Sequence, residues 1–213
     1  MQTSNQNIAV RKIIDVSKYN GAIDWHKVKS DGVTDVIIRL SLGFNTFDPN
    51  ALTNANGAAA VGIKVSYYHF AYPDKRPGTV QGDAKQEANY FTGLFAGGKM
   101  PQPQWLAVDL ENWGPDKDTP LTKQEYAEWL TIFLAEVKAG TGLTCMVYTY
   151  KAYLDQHLPP MHQFGSYPLW IANYNNPPTP PLPIGWKKYF LWQYSESGTV
   201  QGITGHCDLS KLG

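Results

Sequence analysis

Two carboxyls, Asp109 and Glu111, close the short apolar run Trp105-Leu-Ala-Val-Asp-Leu-Glu111 and are separated by one leucine. On a β-strand this i, i+2 spacing sends both side chains to one face, with Cα atoms roughly 6.5–7 Å apart, and turns Leu110 into packing. Acids are depleted in strands, and two on one buried face repel each other. Such crowding pushes one pKa up and keeps a proton available near neutral pH, which is what a general acid requires. The alternative is a strand that stops at Val108, followed by a solvated Asp-Leu-Glu-Asn loop. Taken alone, an Asp-x-Glu is more often of that second kind, because acids are common on surfaces. The neighbouring elements decide between them.

Lys12-Ile-Ile-Asp15-Val-Ser17 is a β run that ends in an acid. Asn20-Gly21 turns, and Asp24 caps a short helix through Trp25 and Val28. Val36–Leu40 and Ile63–Phe70 are further β runs, and between them Asp48-Pro49 opens an Ala-rich helix that stops at Gly62. Residues 72–82 form a loop, and a helix begins at Asp83 and ends at Gly97-Gly98. After the Asp109/Glu111 stretch, Thr122-x-x-Glu125 is a capping box. It opens a helix whose stripe is Tyr126, Trp129, Leu130, Phe133, Leu134 and Val137. Leu143–Tyr150, Pro168–Tyr174, Tyr189–Tyr194 and Gly205–Leu209 supply four late strands. One or two helical turns fall near Ala152–Gln156, and no helix fits the proline-rich 175–185 segment.

Strand–helix alternation implies an α/β fold with a parallel sheet. Eight strands in 213 residues imply an irregular TIM-like (β/α) barrel with roughly five helices, the late ones short or missing, since a full eightfold barrel takes about 250 residues. Residues 1–10 read as a flexible tail, and 11–213 as a single catalytic barrel domain. In such a barrel chemistry gathers at the carboxyl ends of the strands. Asp15 ends the first strand, Asp109 and Glu111 the fourth, and Asp208 the last. Any one strand-end aspartate is more often a cap or turn residue. Four acids around one rim fit that reading poorly.

Composition narrows the classes. A net charge of zero gives no general attraction to nucleic acid or anionic lipid. The five histidines show no zinc spacing, so no metal is expected. The cysteines, Cys145 and Cys207, sit in apolar runs and read as reduced, buried thiols, a single bridge between them being the alternative. No phosphate-binding glycine motif follows the first strand, so no nucleotide cofactor is expected, nor any other cofactor. No stretch of eighteen apolar residues is present, and the polar start shows no signal peptide.

In order along the chain, Ile14-Asp-Val-Ser17, Gly21-x-Ile-Asp-Trp25, Tyr68-His-Phe70, Trp105 through Asp109-x-Glu111, Tyr148-Thr149, Leu169-Trp-Ile-Ala-Asn-Tyr174, Trp192-Gln-Tyr194 and Gly202-Ile through Asp208-Leu209 resemble the family 25 glycoside hydrolases, the Chalaropsis-type muramidases. Each piece is weak alone, and the ordered series is specific. The resemblance spans Ile14 to Leu212. It implies a lysozyme that cuts the β-1,4 bond between N-acetylmuramic acid and N-acetylglucosamine. Glu111 would be the general acid/base, Asp109 its partner, and Asp15 and Asp208 the rest of the acidic pocket. Ser210 stands where the family usually has Asn, Cys207 where Val is usual, and Arg39–Gly43 is less typical. These departures touch the rim and the packing, not the four acids.

Asp109 and Glu111 on one strand face are poorly placed for a two-carboxylate retaining scheme, so attack by the substrate's own 2-acetamido group suits the spacing better. Seven Trp and thirteen Tyr are a high load for this length. Tyr68, Tyr148, Tyr174, Trp170, Trp192, Trp113 and Tyr194 are candidates for sugar-binding walls, core packing being the alternative for each. By alternation His69 points away from Tyr68 and is a hydrogen-bonded core histidine. The partner expected is a peptidoglycan glycan strand, met by a monomer without nucleic acid or membrane insertion. The expected site of action is the bacterial cell wall, reached by a phage lysin released at lysis or a trimmed secreted enzyme. A chitinase-like or endo-N-acetylglucosaminidase activity, or a non-catalytic sugar-binding module, are the rival readings.

Overall fold

The computed structural model describes residues 11–76, 78–112 and 121–213. The strands are β1 (Lys12–Val16), β2 (Val33–Leu42), β3 (Thr46–Phe47), β4 (Lys64–Phe70), β5 (Leu106–Asp109), β6 (Cys145–Thr149), β7 (Leu169–Ala172), β8 (Leu191–Gly198) and β9 (Cys207–Leu212). The α-helices are α1 (Trp25–Ser30), α2 (Ala51–Ala60), α3 (Val80–Gly93), α4 (Lys123–Thr141) and α5 (Lys151–His157). The sheet runs β1-β9-β8-β7-β6-β5-β4-β2-β3, and pairing of β1 with β2 closes eight of the strands into a barrel. β3 is an extra strand, a short hairpin hung on the end of β2. The expected tail 1–10 and Trp113 lie outside the described residues.

One direction differs from the parallel sheet read in the sequence. β9 runs antiparallel to both β8 and β1. Only residues 199–206 join β8 to β9, too few for the dozen or more that a parallel crossover takes. Asp208 therefore lies near the start of its strand, not at its end. Because the strand is reversed, that start sits at the same rim as the carboxyl ends of the others. Asp15 and Asp208 are direct register partners.

Strand alternation separates two cores. Outward residues of the barrel pack against the helices, where Trp129, Leu130, Phe133 and Val137 of α4 are fully buried. Each such side chain contributes about 2 kcal/mol by leaving water. Inside the barrel, Ile13, Ile37, Ala107, Met146, Trp170 and Leu191 form an apolar floor. The capping box opens α4 as read, with Thr122 accepting from Glu125 N. Asp24 caps α1 by accepting from Lys27 N.

Two helix starts differ. α3 begins at Val80, capped by Thr79 through Gly82 N. Asp83 is thereby freed to face inward and accept a 2.7 Å bond from Trp129 Nε1. α2 begins at Ala51, while the Asp48 carboxylate bonds Asn50 N and pairs with buried Arg39 at 2.8 Å. Cys145 and Cys207 are free, buried thiols.

His69 is fully buried on the outer side of β4. Its Nδ1 is 2.8 Å from Ser41 Oγ and its Nε2 2.7 Å from Glu87 Oε2. Burial pushes His69 down to about 3 and Glu87 up to about 8. The pair is therefore neutral imidazole against a protonated carboxyl near pH 7 rather than an ion pair. Sealed under Phe91 and Phe133, this Ser–His–Glu chain has no route to a substrate and is a core hydrogen-bond network.

Candidate active site

Above the apolar floor the inward positions turn polar. Alternation along β1 places Ile13 on the floor and Asp15 one layer up. Along β5, Ala107 is on the floor, Asp109 is above it, and Leu110 packs outward. β5 formally ends at Asp109, short of the expected end. Leu110 N still bonds Tyr148 O at 3.0 Å, so the alternation continues and Glu111 returns to the interior side at the rim. Register sets Asp109 between Phe70 of β4 and Tyr148 of β6.

The four acids meet in one cluster and act on one another electrostatically. Burial first, and then the Asp208 and Glu196 carboxylates, push Glu111 up to about 7. Burial and Glu196 push Asp208 up to about 6, against a hydrogen bond from Asp15 that lowers it. Asp15 is held well above the carboxylate range by burial and by Asp208. Asp109 is raised likewise by burial, Glu111 and Asp15, and Arg39 offsets this in part. Arg39 is already paired with Asp48 and its guanidinium lies 5.0 Å from the Tyr19 ring, so it relieves the cluster only weakly. Asp109 Oδ1 is buried with no hydrogen-bond partner among the described residues. An unpartnered buried acceptor costs about 1–3 kcal/mol, the kind of strain a bound donor relieves.

The aromatic candidates divide. Tyr174 is 41% exposed at the rim. Tyr148 is buried one layer below, and Tyr68 is half-buried on the interior face of β4. Trp170, 1% exposed, lies beneath them, edge-on to Tyr148 and Tyr68, with Nε1 donating to Ser210 Oγ at 3.0 Å. It is floor, not an open wall. Trp192 points away from the acid cluster. It is 2% exposed in the outer core, with Nε1 donating to Asn173 O and Lys211 Nζ 4.1 Å from its ring. Tyr194 shares that outer side. The reason is alternation: the inward residue of Trp192-Gln-Tyr194 is the middle one.

That residue, Gln193, was not singled out from the sequence, nor were Glu196 and Arg39 as electrostatic neighbours. Gln193 is 2% exposed. Its Nε2 donates to both oxygens of Asp15 at 3.1 and 2.9 Å. Its Oε1 accepts from the Tyr148 and Tyr174 hydroxyls at 2.8 and 2.6 Å. The outward aromatics on either side of it were the available signal.

These raised carboxyls carry a consequence for stability. Glu87 and Asp83 titrate near 8 and Glu111 near 7 in the fold, against ordinary values of 4.5, 3.8 and 4.5. Between those limits the folded chain binds more protons than the unfolded one, so stability falls as pH rises. His69 acts oppositely, but only between about 3 and its ordinary 6.5, where stability rises with pH. Above 6.5 the acids act alone. Thermal melts from pH 6.5 to 8 should show the midpoint dropping by roughly 5 °C; a flat or rising midpoint would contradict the buried acids.

A closed α/β barrel with a proton-holding carboxyl at its mouth, crowded by other carboxyls, is the architecture glycosidases use. The chain belongs to the glycosyl hydrolases family 25, whose profile matches residues 14–203. It is 30% identical to Lysozyme M1 of Streptomyces globisporus, over 93% of this chain and 66% of that protein. It is 26% identical to the N,O-diacetylmuramidase of a Chalaropsis species, covering 93% and 96% of the two chains. The bacterial lysozyme of Streptomyces coelicolor shares the fold with a TM-score of 0.81 at 27% identity, covering 97% of this chain and 93% of that one. This chain thus spans just under two thirds of the length of Lysozyme M1. Among the described residues no helix is long and apolar enough to cross a membrane, and no His/Cys/Asp/Glu group is arranged to hold a metal.

Proposed function

We propose that this chain is an N-acetylmuramidase that hydrolyses the β-1,4 bond between N-acetylmuramic acid and N-acetylglucosamine in bacterial peptidoglycan. The observation that carries the reading is Glu111, a half-buried carboxyl at the barrel mouth that burial, Asp208 and Glu196 push up to about 7. It gives its proton to the glycosidic oxygen as the C1–O bond breaks. The 2-acetamido oxygen of the same sugar closes on C1, and Asp109 accepts the acetamido N–H. That bond supplies Asp109 Oδ1 with the partner it lacks, and favours the ionised form as positive charge develops on the ring. Water, deprotonated by Glu111, then attacks C1 and reopens the acetamido group, with net retention.

Retention by a protein nucleophile wants carboxyls about 5–5.5 Å apart on opposite sides of the bond. Asp109 and Glu111 rise from one strand end on one face, which favours assistance by the substrate. Tyr68, Tyr148 and Tyr174 line the sugar sites over the Trp170 floor, and Asp15 and Asp208 complete the acid pocket. In this reading residues 11–213 act as one catalytic domain and as a monomer, on the glycan strand of the cell wall. Digestion of intact wall, with mass spectrometry of the new ends, tests it. N-acetylmuramic acid at the reducing end is expected. N-acetylglucosamine there would move the activity to the glucosaminidase or chitinase class.

A further inference from the structure

We propose that Gln193 is a positioning residue of the acid cluster: the Tyr148 and Tyr174 hydroxyls pin its carbonyl end so that its N–H end is always presented to Asp15. The proposal rests on the muramidase reading of the Asp15–Asp208 side of the mouth. A carboxamide has two nearly isosteric orientations, and only its partners choose between them. Here three groups share the choice. Both phenols are kept protonated by burial and by the surrounding carboxyls, so each has an O–H to donate, and both place it on the same oxygen, Oε1. The amide nitrogen is then left facing Asp15, at 3.1 and 2.9 Å from its two oxygens. In the opposite orientation a carbonyl oxygen would lie against the carboxyl.

Neighbouring strands hold the arrangement rigidly. Gln193 is the register partner of Ala172 on β7 and of Ser210 on β9, and Asp15 is the partner of Asp208 on β9. Ser210 is in turn held by Trp170 Nε1. A donor on both oxygens favours the charged form of Asp15, opposing the burial and the Asp208 repulsion that favour the neutral one. Gln193 thereby fixes the rotamer of Asp15 against Asp208 and links the tyrosines of the sugar wall to the acids across a single amide. The two tyrosine hydroxyls are committed to that amide, so Tyr148 and Tyr174 offer a sugar their ring carbons.

The test pairs a titration that needs no turnover with steady-state kinetics. In Gln193→Met, which keeps the length and loses both polar ends, the Asp15 carboxyl carbon followed by NMR should titrate about one pH unit higher than in the parent. kcat should fall about tenfold, with KM held within about twofold. The double variant Tyr148→Phe/Tyr174→Phe retains Gln193 but frees it to turn, and should move Asp15 in the same direction. It also serves if the methionine variant does not fold. An Asp15 titration unmoved in both variants, or a KM that rises while kcat holds, would overturn the proposal. A parent protein that lyses no wall yet shows the Asp15 shifts would instead reject the muramidase reading and leave the role of Gln193 standing.

Discussion

Glu111→Gln should lower kcat on bacterial wall by about 10³-fold while KM stays within about twofold. The substitution keeps the size, the rotamers and one hydrogen-bonding oxygen of the side chain, and removes only the transferable proton. On the proposed mechanism that proton goes to the glycosidic oxygen, and the surroundings of Glu111 favour keeping it until then. Burial and the Asp208 and Glu196 carboxylates carry Glu111 from 4.5 up to about 7, so a large share of the enzyme holds the acid form at neutral pH. The pH profile follows with its sign. The alkaline limb, where Glu111 loses its proton, should fall near pH 7. Glu196→Gln, which removes one of the named repelling charges, should bring that limb down. Steady-state rates on wall suspensions, with binding of the inactive variant measured separately, check both points. Near-normal lysis by Glu111→Gln would end the assignment.

Asp109→Asn should cost about 10²-fold in kcat and at the same time raise thermal stability by about 2–4 °C at pH 8. The two effects share one cause. Asp109 is a buried carboxyl crowded by Glu111, Asp15 and Asp208, and its Oδ1 has no partner among the described residues. Such an arrangement is costly in the resting protein, and on the proposed mechanism it is relieved when an N–H donor and a developing positive charge arrive together. The amide variant still presents an oxygen to the acetamido N–H but carries no charge against the cyclised sugar, so binding should survive better than turnover. Removing the repulsion should stabilise the fold, the usual exchange between activity and stability at a strained site. A variant that loses activity and melts lower would show the loss to be structural.

Much of this site was legible because strand alternation is a strict rule. The i, i+2 spacing of Asp109 and Glu111, with Leu110 between them, was enough to place both on one face, and Leu110 N continues the ladder that makes it so. His69 was assigned to the core on the same rule, and it is buried there. The same rule turns Gln193 inward between Trp192 and Tyr194, an amide masked in the sequence by the bulk of its two aromatic neighbours. Large rings are as often core as binding surface, and Trp192 is core.

Asp208 was placed on the correct rim by the wrong route. Strand–helix alternation suggested another parallel strand, while the short 199–206 link demanded a hairpin. The sequence puts the start of α3 at Asp83, three residues late: Thr79 caps the helix through Gly82 N, and Asp83 is buried against Trp129. The electrostatics of Glu196 and Arg39 were not legible, since both act across strands that the sequence does not bring together.

On the proposed mechanism a glycan lies over this acid cluster with its scissile bond at Glu111. A structure of the Glu111→Gln variant with a soaked oligomer of alternating N-acetylglucosamine and N-acetylmuramic acid tests it most directly. The predicted result is a glycosidic oxygen about 3 Å from the side chain at position 111, and the acetamido nitrogen of the same sugar donating to Asp109. A glycan seated away from the cluster, or one whose acetamido group points away from Asp109, would contradict it.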